Sequence, residues 1–311
     1  MTQQEIDIKY MRRCLQLAAN GLGRVRPNPL VGCVVVKDGR IVSEGFHQEY
    51  GHNHAERNAL LRLETSLKGA TLYVNLEPCS HHGKTPPCAD LIIEKGISRV
   101  VCCNDDPNPL VAGNGFCKLD AAGIEVTRHI LENEGRELNR RFFTFMEKQR
   151  PYIILKWAES ADGYLAPATA GPYWLSTQRQ NRMNHRWRTE ESAILIGSST
   201  YLKDHPSLTP RHYLGPAPQP IVLDRTNRLT DVPSHWLHLH CQNIPEALQE
   251  LYKHKIQSII VEGGRKILDA FIASDLYDEV RILRSPQTLG DGLPSPEIPP
   301  IDPGRLIVVE P

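Results

Sequence analysis

The sequence predicts an α/β protein in both of its halves. Three observations carry this. Short apolar runs rich in β-branched residues recur along the chain, segments with helical spacing alternate with them, and the joints are Gly, Pro, Asn and Asp. Alternation of this kind builds a sheet covered by helices on both faces.

In order, residues 5–20 place Ile6, Tyr10, Leu15, Leu17 and Ala18 at helical spacing. Residues 31–36 form an apolar strand, and Lys37-Asp38-Gly39-Arg40 turns it into Ile41-Val42, a hairpin. Residues 54–63 are helical in pattern, 71–75 a strand, and 88–95 a helix stopped by Gly96. Residues 99–103 are a strand, 117–122 a short helix and 125–127 a strand. Residues 131–148 are polar, charged and helical. Pro151 disfavours helix at Arg150, and a new strand opens at 152. This predicts domains at 1–148 and 149–311. In the second, strands are expected at 152–157, 193–197, 220–224, 258–262 and 278–283, with helices at 176–190, 245–255 and 265–273. Proline clusters at 216–220 and 294–303 read as surface loops.

Composition narrows the function classes. A chain of 311 residues suits two domains. Lys+Arg and Asp+Glu both number 36, which speaks against a nucleic-acid backbone or an anionic membrane as partner while leaving room for a local basic pocket. No apolar run approaches the roughly 20 residues that span a bilayer, and the first residues lack a signal-peptide pattern. Eight cysteines in this length make no disulfide scaffold. A reducing cytoplasm is expected, with Cys79 and Cys88 on metal, and Cys14, Cys33, Cys102, Cys103, Cys117 and Cys241 as buried free thiols.

The chemistry concentrates in His54-Ala55-Glu56, Pro78-Cys79 and Cys88. His54, Cys79 and Cys88 offer three borderline or soft ligands, the inventory of a catalytic zinc site with an open fourth position. Glu56 is placed to move protons on and off a bound water. A lone His-x-Glu is usually helix surface, and two cysteines can be unrelated thiols. The conjunction is what counts. His54 opens a helix, Cys79 follows a strand, and Cys88 opens the next helix, whose N-terminal partial charge favours a thiolate. The pattern H-x-E…P-C belongs to the zinc deaminases.

Many such enzymes carry a tight Cys-x-x-Cys, whereas here eight residues separate Cys79 from Cys88. PCSHHGKTPPC at 78–88, RPNPLVGCVVV at 26–36 and HAERNAL at 54–60 resemble the pyrimidine deaminase of riboflavin biosynthesis, over most of residues 8–120. The resemblance implies a cytidine-deaminase-like three-layer α/β/α domain, with zinc on His54, Cys79 and Cys88 and Glu56 as proton shuttle. Attack of an activated water on the amine-bearing ring carbon would release ammonia. It also places Asn28 near the ribose, where a turn residue is the plainer reading, and His47 in contact with substrate, where a core histidine is equally natural. Lys84 is either part of a solvated loop or the counter-ion of the substrate phosphate.

In the second half, Glu262-Gly263-Gly264 follows an apolar strand and opens a helix. Such a turn either lets a backbone approach a phosphate or is merely a turn. KWAESADGYLA at 156–166, WLSTQ at 174–178, HRWRTEESAILIGSSTYLKDHPSLTPR at 185–211 and VEGGRKIL at 261–268 resemble the reductase domain fused to that deaminase. It is similar to dihydrofolate reductase in fold and uses NADPH to convert a ribosyl into a ribityl group. The resemblance implies cofactor contacts at Trp174, Thr200, Asp204, Gly263 and Gly264, and substrate contacts at Arg188, Leu208, Arg211 and Glu262. Without it, Arg188 reads as an exposed helix charge and Asp204 as a turn cap. Two departures stand out. The loop around 166–173 is shortened, with Pro172 where a small polar residue is usual, and Asp224-Arg225 replaces a common Asp-Ser. Arg225 either pairs with a cofactor 2′-phosphate, favouring NADPH, or is exposed.

The implied substrate is a small phosphorylated pyrimidine, with no nucleic acid or membrane as partner. Relatives of this type tend to self-associate, although no interface is legible in the sequence. The rival readings are a nucleoside or tRNA-base deaminase with an accessory second domain, and a zinc-structured binding protein. The Cys79–Cys88 spacing and neutral charge oppose the first, and Glu56 has no use in the second.

Overall fold

The computed structural model describes the whole chain except residues 65, 84, 110, 170–172, 300–305 and 311 and the side chains of 306, 307 and 310. The chain divides into two compact units, Met1–Lys148 and Gln149–Pro311.

In the first unit, α1 (Gln3–Ala19) starts on a capping box. Thr2 Oγ1 accepts from the Glu5 amide, and the Glu5 carboxylate accepts from the Thr2 amide. Strands β1 (Gly32–Lys37) and β2 (Arg40–Phe46) form the expected hairpin. Asp38 and Gly39 both have positive φ, as a tight hairpin turn requires. There follow α2 (Ala55–Leu60), β3 (Thr71–Leu76), α3 (Cys88–Glu94), β4 (Arg99–Asn104), α4 (Asn114–Ala121) and β5 (Glu125–Thr127). The sheet order is β2-β1-β3-β4-β5, with β3, β4 and β5 parallel. One face buries Leu72, Val74, Val100 and Cys102 under α2, α3 and α4. The other buries Val34, Tyr73 and Val101 under Met11, Cys14 and Leu17 of α1.

Two expectations need correction. The helical pattern over 131–148 is two helices, α5 (Glu132–Leu138) and α6 (Arg140–Lys148), broken at Asn139. The Asn139 side chain leaves the helical pattern to pair with the Leu30 backbone, accepting from its amide at 2.8 Å and donating to its carbonyl at 2.9 Å. Cys117 is exposed rather than buried. It lies on the outer side of α4, which turns Phe116 and Leu119 inward. The other five non-motif cysteines are buried.

In the second unit the order is β6 (Tyr152–Glu159), β7 (Tyr164–Pro167), α7 (Gln178–Glu190), β8 (Ala193–Gly197), α8 (Ser198–Asp204), β9 (Gln219–Leu223), β10 (Leu237–Leu239), α9 (Ile244–Lys253), β11 (Ser258–Val261), α10 (Arg265–Ala273), β12 (Glu279–Arg284), β13 (Gly292–Pro294) and β14 (Leu306–Glu310). The main sheet runs β10-β9-β8-β11-β6-β12-β14, with every pairing parallel. Its inner strands are near-continuous apolar runs because both faces are covered. Ile153, Leu195 and Ile259 pack against α9 and α10, while Ile154, Ile194 and Ile260 pack with Trp187 of α7. The sequence pattern missed β7, β10, β13, β14 and α8. All are short, and among the described residues β7 and β13 form a two-stranded sheet of their own.

Candidate active site

The first cluster is assembled by backbone close approach. A Cβ on Gly45 of β2 would stand 2.5 Å from the Ala55 carbonyl oxygen and 2.6 Å from the Ala59 amide, so only glycine lets α2 lie this near the strand. Asn58 fixes the same joint by donating to the Phe46 carbonyl at 2.8 Å. His54 is thereby held as the N-cap of α2, with extended φ and ψ. Cys79 sits three residues past β3, and Cys88 is the first residue of α3. The Cys88 amide donates to Cys79 Sγ at 3.4 Å, and the Ala89 amide donates to the Cys79 carbonyl at 3.1 Å.

His54 Nδ1 lies 3.5 Å from both Cys79 Sγ and Cys88 Sγ, and all three atoms fall within 4.8 Å of one another. Zinc bonds of about 2.3 Å to sulfur and about 2.0–2.1 Å to nitrogen give a tetrahedral N–S edge of about 3.5 Å. The three residues therefore fit zinc with one position left open. Contact with Cys88 and with His54 drives the Cys79 thiol down, while Cys79 and burial push Cys88 up; a bound cation would favour the thiolate of both.

Glu56 is buried, at 3 % exposure, and shares a hydrogen bond with Cys88. Burial lifts its carboxyl from the ordinary 4.5 to about 7, against the opposing pull of His54. A carboxyl poised there can take and return a proton near neutral pH.

Asn28 and His47 meet beside this cluster. Asn28 Nδ2 is 3.0 Å from His47 Nε2, and His47 Nδ1 is 3.0 Å from the Asn53 carbonyl. The carbonyl can only accept, so Nδ1 carries the proton and Nε2 accepts from Asn28. Burial lowers the His47 pKa, which keeps the ring neutral. His47 packs edge-on to His54, with centroids 5.5 Å apart. The loop bearing Asn28 is pinned at Leu30 by Asn139, and by Asn75, which donates to the Leu30 carbonyl at 2.9 Å and accepts from the Gly32 amide at 2.7 Å.

Two carboxylates escaped sequence reasoning. Buried Glu77 accepts from the amides of Asp106, Gly113 and Gly115, holding the 105–115 loop against the cluster. Asp106 has its pKa raised to about 7, chiefly by burial and further by the charges of Glu77 and Cys79. The turn composition Asp105-Asp106-Pro107-Asn108 marked the loop without distinguishing its inward-facing carboxylate. Lys84 lies outside the described residues.

In the second unit, β8 and β11 are neighbours. The chain leaves β8 through α8 towards β9 on one side, and leaves β11 through α10 towards β12 on the other. This is a topological switch point, the place where parallel sheets bind ligands. The two helix starts are tied together, since the Gly264 amide donates to Thr200 Oγ1 at 2.9 Å. A Cβ on Gly263 would stand 2.5 Å from Ile196 Cα, so Gly263 is required by strand packing, whereas Gly264 is exposed. Asp204 ends α8, and Asp204, Arg225, Arg211 and Trp174 are exposed. The starts of α8 and α10 thus meet at the switch point, the position where a parallel sheet takes the phosphates of a dinucleotide cofactor.

Arg188 is not an exposed helix charge. It is 9 % exposed, its Nε and Nη2 donate to the two Glu262 oxygens at 2.9 and 2.7 Å, and Nη1 donates to the Thr209 carbonyl. The structure thus joins two residues expected at the substrate to each other, with buried Lys156 3.8 Å from Glu262. Burial acts to raise the Glu262 pKa, but Lys156 and Arg188 outweigh it and hold the carboxyl at about 2. Leu208 is buried at positive φ in the core beneath α7. Pro172 lies outside the described residues.

Residues 4–104 match the cytidine and deoxycytidylate deaminase zinc-binding region, and residues 151–302 match the RibD C-terminal domain. The riboflavin biosynthesis protein RibD of Aquifex aeolicus is 40 % identical, with 93 % of this chain and 90 % of that protein covered. That of Escherichia coli is 38 % identical, with 91 % and 89 % covered. A crystal structure of a diaminohydroxyphosphoribosylaminopyrimidine deaminase/5-amino-6-(5-phosphoribosylamino)uracil reductase from Thermotoga maritima is 39 % identical. It superposes with a TM-score of 0.86 over 94 % of this chain and 90 % of that one. RibD from Acinetobacter baumannii gives 33 % identity and a TM-score of 0.88 over the same shares. A matching zinc-binding region in the first unit, a matching reductase-side domain in the second and full-length relatives at this identity lead to one conclusion: the chain belongs to the RibD family of riboflavin biosynthesis proteins.

Proposed function

We infer that the chain is a bifunctional enzyme of riboflavin biosynthesis, first a hydrolytic deaminase and then a reductase. The first substrate is 2,5-diamino-6-ribosylamino-4(3H)-pyrimidinone 5′-phosphate, which takes up water and releases ammonia. The ribosyl group of the product is then reduced to ribityl. The observation that carries the reading is the His54–Cys79–Cys88 triangle, with 3.5 Å nitrogen-to-sulfur edges and a buried Glu56 beside it.

Zinc, when bound, supplies a Lewis acid that acidifies a water near neutral pH. The chain's own residues do the rest. Glu56 takes a proton from the water and passes it to a ring nitrogen, then takes the proton of the added hydroxyl and passes it to the departing amine, which leaves as ammonia while the ring carbonyl forms. Asn28, its amide nitrogen held by His47, leaves its carbonyl oxygen to accept from a substrate donor, with the ribose as the matching group. Asp106 offers a second, half-buried carboxyl group. Lys84 is assigned to the substrate phosphate.

NADPH supplies the hydride for the second step. The Gly264 turn with Thr200 and Asp204 holds the cofactor at the switch point, and Arg225 faces its 2′-phosphate. Trp174 covers the cofactor, and Arg211 holds the substrate phosphate. Arg188 and Glu262 act as one ion pair that shapes the substrate wall over Leu208. Eight cysteines without a disulfide suit a reducing cytoplasm.

The test is metal-resolved. Zinc-loaded protein given the pyrimidine phosphate releases ammonia, and Glu56→Gln retains zinc while losing that release. Full turnover in Glu56→Gln would remove Glu56 from the reaction.

A further inference from the structure

The C-terminal ends of β9 and β10 carry a cluster that neither reaction uses. His238 and His240 flank buried Leu239, so strand alternation turns both imidazoles to one face. Their ring centroids are 4.0 Å apart. The parallel register pairs Leu239 with Leu223, which sets Asp224, the next residue along, beside His240. The Asp224 amide donates to the Leu239 carbonyl at 2.8 Å and fixes the carboxylate in that place.

The ligand atoms have metal-site spacing. One atom from each of Asp224, His238 and His240 lies within 4.8 Å of the other two. His238 Nε2 is 3.5 Å from Asp224 Oδ2, close to the N–O edge of about 3.4 Å that a tetrahedron with bonds of about 2.0–2.1 Å would have. Asp224 is fully buried, at 0 % exposure. Its Oδ2 accepts from the Leu229 amide at 2.8 Å. Burial acts to raise the carboxyl's pKa, and His238, the Arg228 amide and Ser198 lie close enough to lower it, yet among the described residues none closes a hydrogen bond of good geometry on Oδ1 or on His238 Nε2. Buried polar atoms are ordinarily satisfied, and one shared cation would satisfy both. Two imidazoles and a carboxylate select a borderline divalent ion, whereas magnesium and calcium favour all-oxygen shells.

We propose that Asp224, His238 and His240 form a second metal site, for a divalent ion of the zinc, cobalt and nickel class. Three protein ligands leave a coordination position on the exposed His240 side. The site clips the edge strand β10 to the end of β9, one residue from Arg225.

Cobalt distinguishes the two sites in the full chain. Metal-free protein is titrated with Co(II) at micromolar concentration and followed by absorption. The thiolate site gives intense sulfur-to-cobalt charge transfer, whereas an imidazole–carboxylate site gives only weak visible bands. The wild type should take two equivalents, the second adding no charge-transfer intensity. His240→Ala, a change at an exposed position, should take one equivalent with the sulfur band and ammonia release intact. Cys79→Ser should lose the sulfur band and keep the weak one, whatever becomes of the deaminase. A wild type that saturates at one equivalent, a His240→Ala variant that takes two, or a second equivalent bound only at millimolar cobalt would each overturn the proposal.

Discussion

Asn28 donates its side-chain amide to Nε2 of His47 across 3.0 Å, and His47 passes the order on by donating from Nδ1 to the Asn53 carbonyl. The relay fixes both groups: His47 is a neutral ring of one tautomer, and the Asn28 carbonyl oxygen points away from it as an acceptor. On the proposed role of Asn28, Asn28→Ala should remove a single hydrogen bond to substrate, worth about 1–1.5 kcal/mol. The deaminase KM should rise about tenfold with zinc content unchanged, as steady-state ammonia assays and metal analysis would show.

Glu56→Gln keeps shape and burial but cannot exchange a proton. Ammonia release should fall by about 10²–10⁴-fold, the usual contribution of a positioned acid–base group. Reductase turnover on the already deaminated substrate should stay at the wild-type rate, which spectrophotometry of NADPH would check.

Gly45→Ala tests how the fold builds the zinc site. The added Cβ would meet the Ala55 carbonyl oxygen at 2.5 Å and force α2, with His54 at its head, off β2. Overpacking of this kind costs about 1–3 kcal/mol. Thermal melts should show the loss, and zinc affinity should fall although no ligand has been touched.

The buried ion pair of the second unit has a pH signature. The Glu262 carboxyl is depressed from an ordinary 4.5 to about 2, so the stability it contributes is present above about pH 4.5 and is lost as pH falls towards 2. Glu262→Gln should flatten that acid limb. Arg188→Met should instead destabilise the unit at neutral pH by about 1.5–3 kcal/mol, because it removes two short charged hydrogen bonds and leaves the buried carboxylate to Lys156, 3.8 Å away. Acid and urea titrations of the variants separate the two effects.

Legibility in the sequence followed the range of the interactions. The clustering of His54, Cys79 and Cys88 could be read because they are rare residue types, set at two helix starts and a strand end, where local pattern shows them. The alternating strands and helices could be read because each buries its own apolar face. The break at Asn139 could not, since its cause is the backbone of Leu30, 109 residues away. Arg188 looked like a surface charge because its partner Glu262 is 74 positions distant. Glu77 and Asp106 leave no periodic trace, since the one serves a loop backbone and the other faces the cluster from a turn.

Arg211 is exposed in the second unit, and the proposed function gives it the substrate phosphate. Arg211→Ala should raise the reductase KM, by about tenfold for one lost charge-assisted contact. Ammonia release should be untouched. If both activities fell together, two separate sites would not describe the protein.

The most direct test of the two-step account uses the zinc-loaded full chain and the diaminopyrimidine ribosylamine phosphate, with ammonia and NADPH followed in the same vessel. Ammonia should appear at the same rate with or without NADPH, and NADPH oxidation should begin only after a lag set by ammonia release. NADPH consumption that starts at once on the undeaminated substrate, or ammonia release that requires NADPH, would contradict it.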